Sequence, residues 1–381
     1  MKIVIAPDSY KESLTALQVA TEIEAGFREI FPDAEYLKLP MADGGEGTVA
    51  ALVAATGGRL CEVDVTDPLG MKTDACYGLT GDGKTAIIEM AAASGLTLVA
   101  PPLRNPLKTT SYGTGELIKA ALDAGVDHLI VGIGGSATND AGAGMLQALG
   151  VKLLDNSGGD IGFGGAALAR LGRIDVRSID PRLKTCRIEV ACDVSNPLTG
   201  SNGASAVYGP QKGATPEMVA ELDANLSRFA DLIRSNFGIE VDAVPGAGAA
   251  GGMGAAMFAF LNARLRPGID IVMEAVGLDA AVRDADLVIT GEGRIDSQTF
   301  HGKTPTGVAR VAKLYNKPVI GIAGSVSADA NVVHQHGFDA VFSVLSQIGT
   351  LEYAISQAAA NVRNTSRNIA ACIKLAGQCQ H

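Results

Sequence analysis

The sequence predicts an α/β protein built on a parallel sheet, and three observations carry that expectation. Short apolar runs of strand length alternate with amphipathic stretches of helical spacing. Two of the most apolar runs end in glycine, Gly134-Gly135 after His128–Ile133 and Gly291 after Asp286–Thr290. Glycine is abundant, 47 of 381 residues, against 15 prolines and with no fixed period, which excludes collagen-like order and implies many tight loops.

From the N-terminus, Lys2–Ala6 reads as a first strand, and residues 15–30 set Leu17, Ala20, Ile23 and Phe27 on one helical stripe. Glu35–Leu39 is a second strand and Gly47–Thr56 a second helix, a βαβα order that calls for parallel pairing. The grammar returns with strands at His128–Ile133, Asp286–Thr290, Pro318–Ala323 and Asp339–Ser343 and helices at 304–315 and Leu351–Ile373. Residues 61–90 alternate and carry turn signals, as hairpins do. The stretch 151–210 is irregular apart from a strand at Arg187–Cys192, and Thr215-Pro216 opens an amphipathic helix over 216–236. The expected architecture is one Rossmann-like, doubly wound parallel sheet of about six strands, from residues 1–60, 105–140 and 266–381. A second α+β domain is inserted into it discontinuously, as 61–104 and 141–265.

The formal net charge of −10 argues against nucleic acid and anionic membrane surfaces as partners, and leaves local Lys and Arg to attract any anionic substrate. The six cysteines form no CxxC pair, which points to reduced thiols and a cytoplasmic setting. MKIVIAPDSY carries no signal-peptide pattern, and no uncharged run approaches the ~18 apolar residues of a membrane span.

Gly78–Thr85 spells GxxxxGK[ST], the pattern of a phosphate-cradling P-loop with Lys84 on the phosphates and Thr85 on Mg²⁺. The run before it, TDACYG, is alternating and half-polar, unlike a central parallel strand, and GDG is hairpin-turn chemistry. The best candidate for the acidic strand that accompanies a P-loop, Ile188–Asp193, is interrupted by Glu189. A hairpin turn is the expectation here.

Phosphoryl transfer needs cations and amides around phosphates, carboxylates for Mg²⁺ and a base near the attacking hydroxyl. Loops at expected strand ends supply these types. Pro7–Ser13 offers Asp8 to a metal and Lys11 to a phosphate or a substrate carboxylate. Met41–Thr48 sets Asp43 and Glu46 around Gly44-Gly45. Gly134–Gly142 brings amides and hydroxyls to a helix start and is the best phosphate site by spacing. Thr290–Asp296 gathers Glu292, Arg294 and Asp296, with Lys303 close behind. Asp193–Pro197, Ser111–Glu116 and Gly246–Gly252 are lesser candidates, and His301, His334 and His336 lack metal-ligand spacing.

At these loops the chain resembles the bacterial glycerate kinase family over essentially its whole length. PDSYKES at Pro7–Ser13, ADGGEGT at Ala42–Thr48, NPLKTTSYGTGELI at Asn105–Ile118 and GGSATND at Gly134–Asp140 carry the resemblance. So do DVSNPLTG at Asp193–Gly200, GPQKGAT at Gly209–Thr215 and TGEGRIDSQT at Thr290–Thr299. The resemblance implies phosphorylation of D-glycerate by ATP with Mg²⁺, typically at the 2-hydroxyl, giving 2-phosphoglycerate, in a two-domain α/β fold with its site in a cleft. Phosphorylation at the 3-hydroxyl, a P-loop NTPase and a non-catalytic glycerate-binding protein are the alternatives. The implied catalytic residues are Lys11 and one of Asp193 or Asp296 as base. Asp8, Ser9, Arg294 and Asn196 would bind substrate, and Gly134, Gly135, Ser136, Asn139 and Lys303 the ATP phosphates. Asp43, Glu46, Asp140 and Glu292 form the pool of Mg²⁺ ligands. One departure is Ala141, where the family usually has glycine. A homodimer stays open.

Overall fold

Lys-Ile-Val-Ile at the N-terminus is strand-length and apolar, and three of its four residues are buried between helices, as a central strand requires. The structure is a computed structural model that describes residues 1–296, 299, 303–327 and 330–379. Its strands, in chain order, are β1 (Lys2–Ile5), β2 (Glu35–Lys38), β3 (Arg59–Thr66), β4 (Lys72–Leu79), β5 (Thr85–Glu89), β6 (His128–Gly132), β7 (Lys152–Leu154) and β8 (Arg173–Asp175). They continue with β9 (Arg187–Ala191), β10 (Arg264–Arg266), β11 (Leu287–Thr290), β12 (Arg294–Ile295), β13 (Val319–Ala323), β14 (Ser325–Val326) and β15 (Ala340–Ser343).

The chain divides into two compact units, 1–43 with 50–57 and 269–381, and 44–49 with 58–268. In the first unit a five-stranded sheet runs β15-β13-β11-β1-β2, and every neighbouring pair is parallel. Numbered within the unit, that is the order 2-1-3-4-5, a doubly wound order whose topological switch point falls between β1 and β11. Ile3, Ile5, Ile23, Phe27, Ile289, Ile322 and Ile369 build its core, each buried side chain stabilising by roughly 1.5–3 kcal/mol. The helix Ala16–Arg28 opens on a capping box, with Thr15 accepting from the Gln18 N–H, and packs against the helix Ala358–Gln378. Gly26 permits this contact, because a Cβ there would strike the main chain of Arg363 and Arg367.

The second unit holds a six-stranded sheet, β10-β9-β6-β5-β4-β3. Its β10, β9, β6 and β5 are parallel, and β5, β4 and β3 form an antiparallel meander.

Three expectations change. Among the described residues there is no single six-stranded parallel sheet: β6, expected in one sheet with β1, pairs in parallel with β5 and β9, and residues 105–140 lie in the second unit. An apolar run such as HLIVG reads alike in either sheet, so periodicity could not assign it. Leu17 is 41% exposed, and the buried stripe runs instead through Ala16, Val19, Ala20, Ile23 and Phe27. The last helical stretch is two helices, Leu351–Ser356 and Ala358–Gln378, parted at Gln357.

The P-loop pattern is a hairpin turn. β4 and β5 pair antiparallel, with Gly78 opposite Ile87 and Leu79 opposite Ala86. Asp82 Oδ1 accepts from the Thr80 hydroxyl at 2.6 Å and the Lys84 N–H at 3.0 Å, closing the turn with Gly83 at φ +70°. Glu189, in the acidic strand, is buried against His128 Nε2 (2.9 Å), Arg187 (2.8 Å) and Arg266.

Candidate functional site

In an open parallel sheet the strand ends beside the switch point diverge, leaving a crevice at their carboxyl edge. In the first unit the loops after β1 and β11 meet there. The Asp8 N–H donates to the Gly291 carbonyl at 2.8 Å, and Gly291 has no room for a side chain because a Cβ would overlap the Ile322 carbonyl. Asp8 Oδ1 accepts the Ser9 N–H at 2.6 Å, and Oδ2 accepts the hydroxyl of Thr304, the first residue of the helix Thr304–Leu314, at 2.6 Å. Glu292 Oε1 accepts the Thr299 hydroxyl at 2.7 Å, while its Oε2 lies 3.7 Å from Lys303 Nζ. Arg294 Nε is 3.3 Å from Asp296 Oδ2, its side chain 68% exposed.

These acids repel one another. Burial pushes the Asp8 carboxyl above its ordinary value, and the negative charge of Asp43 adds to the rise. Burial likewise raises Glu292, with Asp8 and Asp296 adding to the effect and the Thr299 hydroxyl and Lys303 opposing it. A crevice of like charges whose ionised forms are disfavoured gains from an added cation. Lys11 is exposed and pairs with no acid among the described residues. The structure thus brings Asp8, Ser9, Asp43, Glu292, Asp296 and Lys303, named in the sequence from three separate loops, into one neighbourhood. Sequence reasoning missed Thr304 and Thr299, whose hydroxyls orient two of the carboxylates. Ser297, Gln298, His301 and Gly302 lie outside the described residues. Among those described, no three His, Cys, Asp or Glu side chains gather in a metal-binding group.

The second unit presents the glycine loop after β6. Gly134 and Gly135 are exposed, Gly135 at φ +75°, and the Ser136 side chain turns inward to the ammonium of Lys212 at 2.7 Å. Lys212 Nζ also donates to the Thr138 carbonyl at 2.6 Å. Burial lowers the pKa of this lysine to about 7, against a smaller opposing pull from Asp140. Lys212 was quoted within GPQKGAT but not singled out, and no local signal marks it, because the residues it holds lie 74 and 76 positions away.

Asp140 is fully enclosed, and its carboxylate takes four donors: the Ser111 N–H (3.0 Å) and hydroxyl (2.8 Å) and the N–H groups of Gly142 (3.1 Å) and Gly144 (3.2 Å). With its lone pairs spent inside the protein, it orders the loop and has none to offer a metal. Asn139 is also fully buried, donating to Ser205 Oγ at 3.0 Å, so it shapes the loop from behind. Asn196 is engaged at both ends, donating to the Asn202 carbonyl at 2.8 Å and accepting from the Tyr208 hydroxyl at 2.6 Å. Asp193 is exposed and accepts the Gly268 N–H at 2.9 Å. Glu46 is exposed, and its charge raises Glu89, a carboxyl lifted mainly by burial that accepts the Val49 N–H at 2.9 Å. Glu89 was missed because its TAIIE strand reads as ordinary core.

A family profile described as the glycerate kinase family matches residues 3–374. An Escherichia coli K12 protein named glycerate 2-kinase is 62% identical over 98% of this chain and 98% of its own length. A Bacillus subtilis protein named glycerate kinase is 61% identical, covering 99% of this chain and 98% of the relative. A crystal structure from Salmonella typhimurium LT2, provisionally described as glycerate kinase 2, superposes with a TM-score of 0.93 at 64% identity, covering 99% of both chains. With strand-end loops, acids and lysines of the kind phosphoryl transfer needs, and with matches of this extent, the chain belongs to the glycerate kinase family.

Proposed function

We propose that the protein transfers the γ-phosphoryl group of ATP to the 2-hydroxyl of D-glycerate, giving 2-phosphoglycerate and ADP. The observation that carries this reading is the meeting of Asp8, Glu292 and Lys303 at the switch point of a doubly wound sheet. The position of transfer follows the name of the Escherichia coli relative. Among the described residues Lys303 is held only by a half-exposed ion pair, which is worth little and leaves its ammonium ready to donate to a phosphate oxygen. Lys11 and Arg294 supply further cations for the glycerate carboxylate or the transferred phosphoryl. The exposed amides of Gly134 and Gly135, braced by Lys212 behind Ser136, offer an anion-binding surface.

Mg²⁺ is typically held by one or two carboxylates plus waters and phosphates, so a pair suffices. Glu292 with Asp8 or Asp43 fits that requirement and Asp140 does not. When bound, the ion neutralises charge on the transferring phosphoryl group. Asp296 and Asp193 are the two candidates to accept the hydroxyl proton, each an acid with an exposed or half-buried side chain. The protein is expected to act in the cytoplasm on a small-molecule substrate, and among its described residues no helix is long and apolar enough to cross a membrane.

Incubation with ATP, Mg²⁺ and D-glycerate, coupled to enolase without a mutase, tests the reading. Enolase signal identifies the 2-phosphate. ADP without that signal means transfer to the 3-hydroxyl, and glycerate binding without ADP means a non-catalytic binder.

A further inference from the structure

The carboxyl edge of the five-stranded sheet opens onto a cavity of about 730 Å³, bordered by the segments that follow β1, β11, β13 and β15. The volume is far more than a three-carbon acid fills and lies in the range of pockets for nucleoside-sized ligands. Its walls are apolar and left in water. Leu345 is 51% exposed, Ile348 104%, Leu351 72% and Tyr353 43%, all around this one opening. Four large apolar side chains lining one exposed concavity mark a binding site.

Polar residues share the lining, among them Glu12, Ser13, Ser325, Gln347 and Thr350, and two further groups bear on what it could hold. Asn361 is buried, and its Oδ1 accepts the Ser346 hydroxyl at 3.0 Å. Its amide Nδ2 carries no hydrogen bond among the described residues and is left to donate to the ring edge of a ligand. The lining also includes Lys11, next to Glu12, and Gly293, and Gly293 adjoins Glu292, the partner of Lys303. A ligand with a flat apolar head and a polyanionic tail matches this gradient, its tail running past Lys11 toward Lys303.

We propose that this cavity holds the purine base and ribose of the nucleoside triphosphate, with the Tyr353 ring against the base and the Asn361 amide on its edge. The proposal rests on the kinase reading and adds to it where the nucleoside sits.

Two variants of the full chain, Tyr353→Ala and Ile348→Asp, test it. Ile348 is wholly exposed, so its substitution leaves folding alone. The expected result is an ATP KM raised about tenfold for Tyr353→Ala, the usual scale for loss of base stacking. Ile348→Asp raises it less, and the glycerate KM and the Tm stay at parent values. Calorimetric titration with ADP, without glycerate, should show affinity falling by the same factors. The proposal is overturned if both variants keep ATP KM and ADP affinity within twofold of the parent, or if the glycerate KM moves instead. It is also overturned if Ile348→Asp changes only the oligomeric state. Should the parent show no kinase activity, the ADP titration decides alone: binding weakened by both variants upholds the cavity while the kinase reading fails, and no ADP binding ends both.

Discussion

Two loops of this protein are each built around an aspartate that follows a β-strand, and they use it in opposite ways. Asp140, after β6, is sealed and satisfied by four donors of its own unit. Asp8, after β1, lies with Glu292 near Asp43 and Asp296, and burial together with the charge of these neighbours disfavours the ionised forms of Asp8 and Glu292. A buried carboxylate with every lone pair bonded contributes to order, and removing it strands its partners. Acids crowded at a half-open strand edge are costly to ionise without a counter-ion, which is the condition of a site awaiting one. Proximity to a glycine-rich loop therefore says little about an acid's part; the count of its donors says more.

The sharpest way to break the comparison is Asp140→Ala. It should cost roughly 3–5 kcal/mol, since the Ser111 hydroxyl and three N–H groups lose their acceptor in the interior. Thermal unfolding should show a fall in Tm of many degrees, with ordinary turnover in the fraction that stays folded. A stable but inactive Asp140→Ala would return that residue to the metal. Lys303→Ala should do the reverse, lowering kcat/KM by about 100-fold with little change in Tm. It should also carry the acid limb of the rate profile to higher pH, because Lys303 holds the Glu292 pKa down. An unmoved limb would separate Glu292 from the rate.

Lys212 adds a pH signature to the buried loop. Its pKa is about 7 in the folded protein against an ordinary 10.5. Between those values the unfolded chain binds more protons, so this group makes stability rise with pH from about 7 to 10.5. Denaturant titrations should lose that rise in Lys212→Met, and persistence of the slope would assign it elsewhere. The smallest effects belong to two positions outside the contest. Lys84→Ala should change neither kcat nor stability beyond about 0.5 kcal/mol, as expected of a surface turn. Ala141 sits at φ +54°, so Ala141→Gly relieves left-handed backbone strain of about 1–2 kcal/mol while giving back part of it as chain entropy. A drop in Tm for that variant would show that the Ala141 methyl matters more to packing than to strain.

Much of this was legible in the amino-acid sequence, for a local reason. Strand and helix periodicities, the Thr215-Pro216 helix start and the Thr80–Lys84 turn depend on residues within a few positions of one another, and apart from the split last helix the predicted strands and helices lie within a residue or two of their expected places. The strand-end loops with Asp8, Glu292 and Lys303 were visible for the same reason, since a parallel strand must be followed by a loop at its carboxyl end. Partnership across the chain was not legible. That β6 joins β5 and β9, that Thr304 reaches Asp8 across 296 positions, and that Lys212 braces Ser136 are decided by which surfaces pack together. Asp140 and Glu292 are the same kind of residue in the same kind of loop. Tertiary structure alone separates them, because an acid's chemistry is set by the donors and charges folded around it.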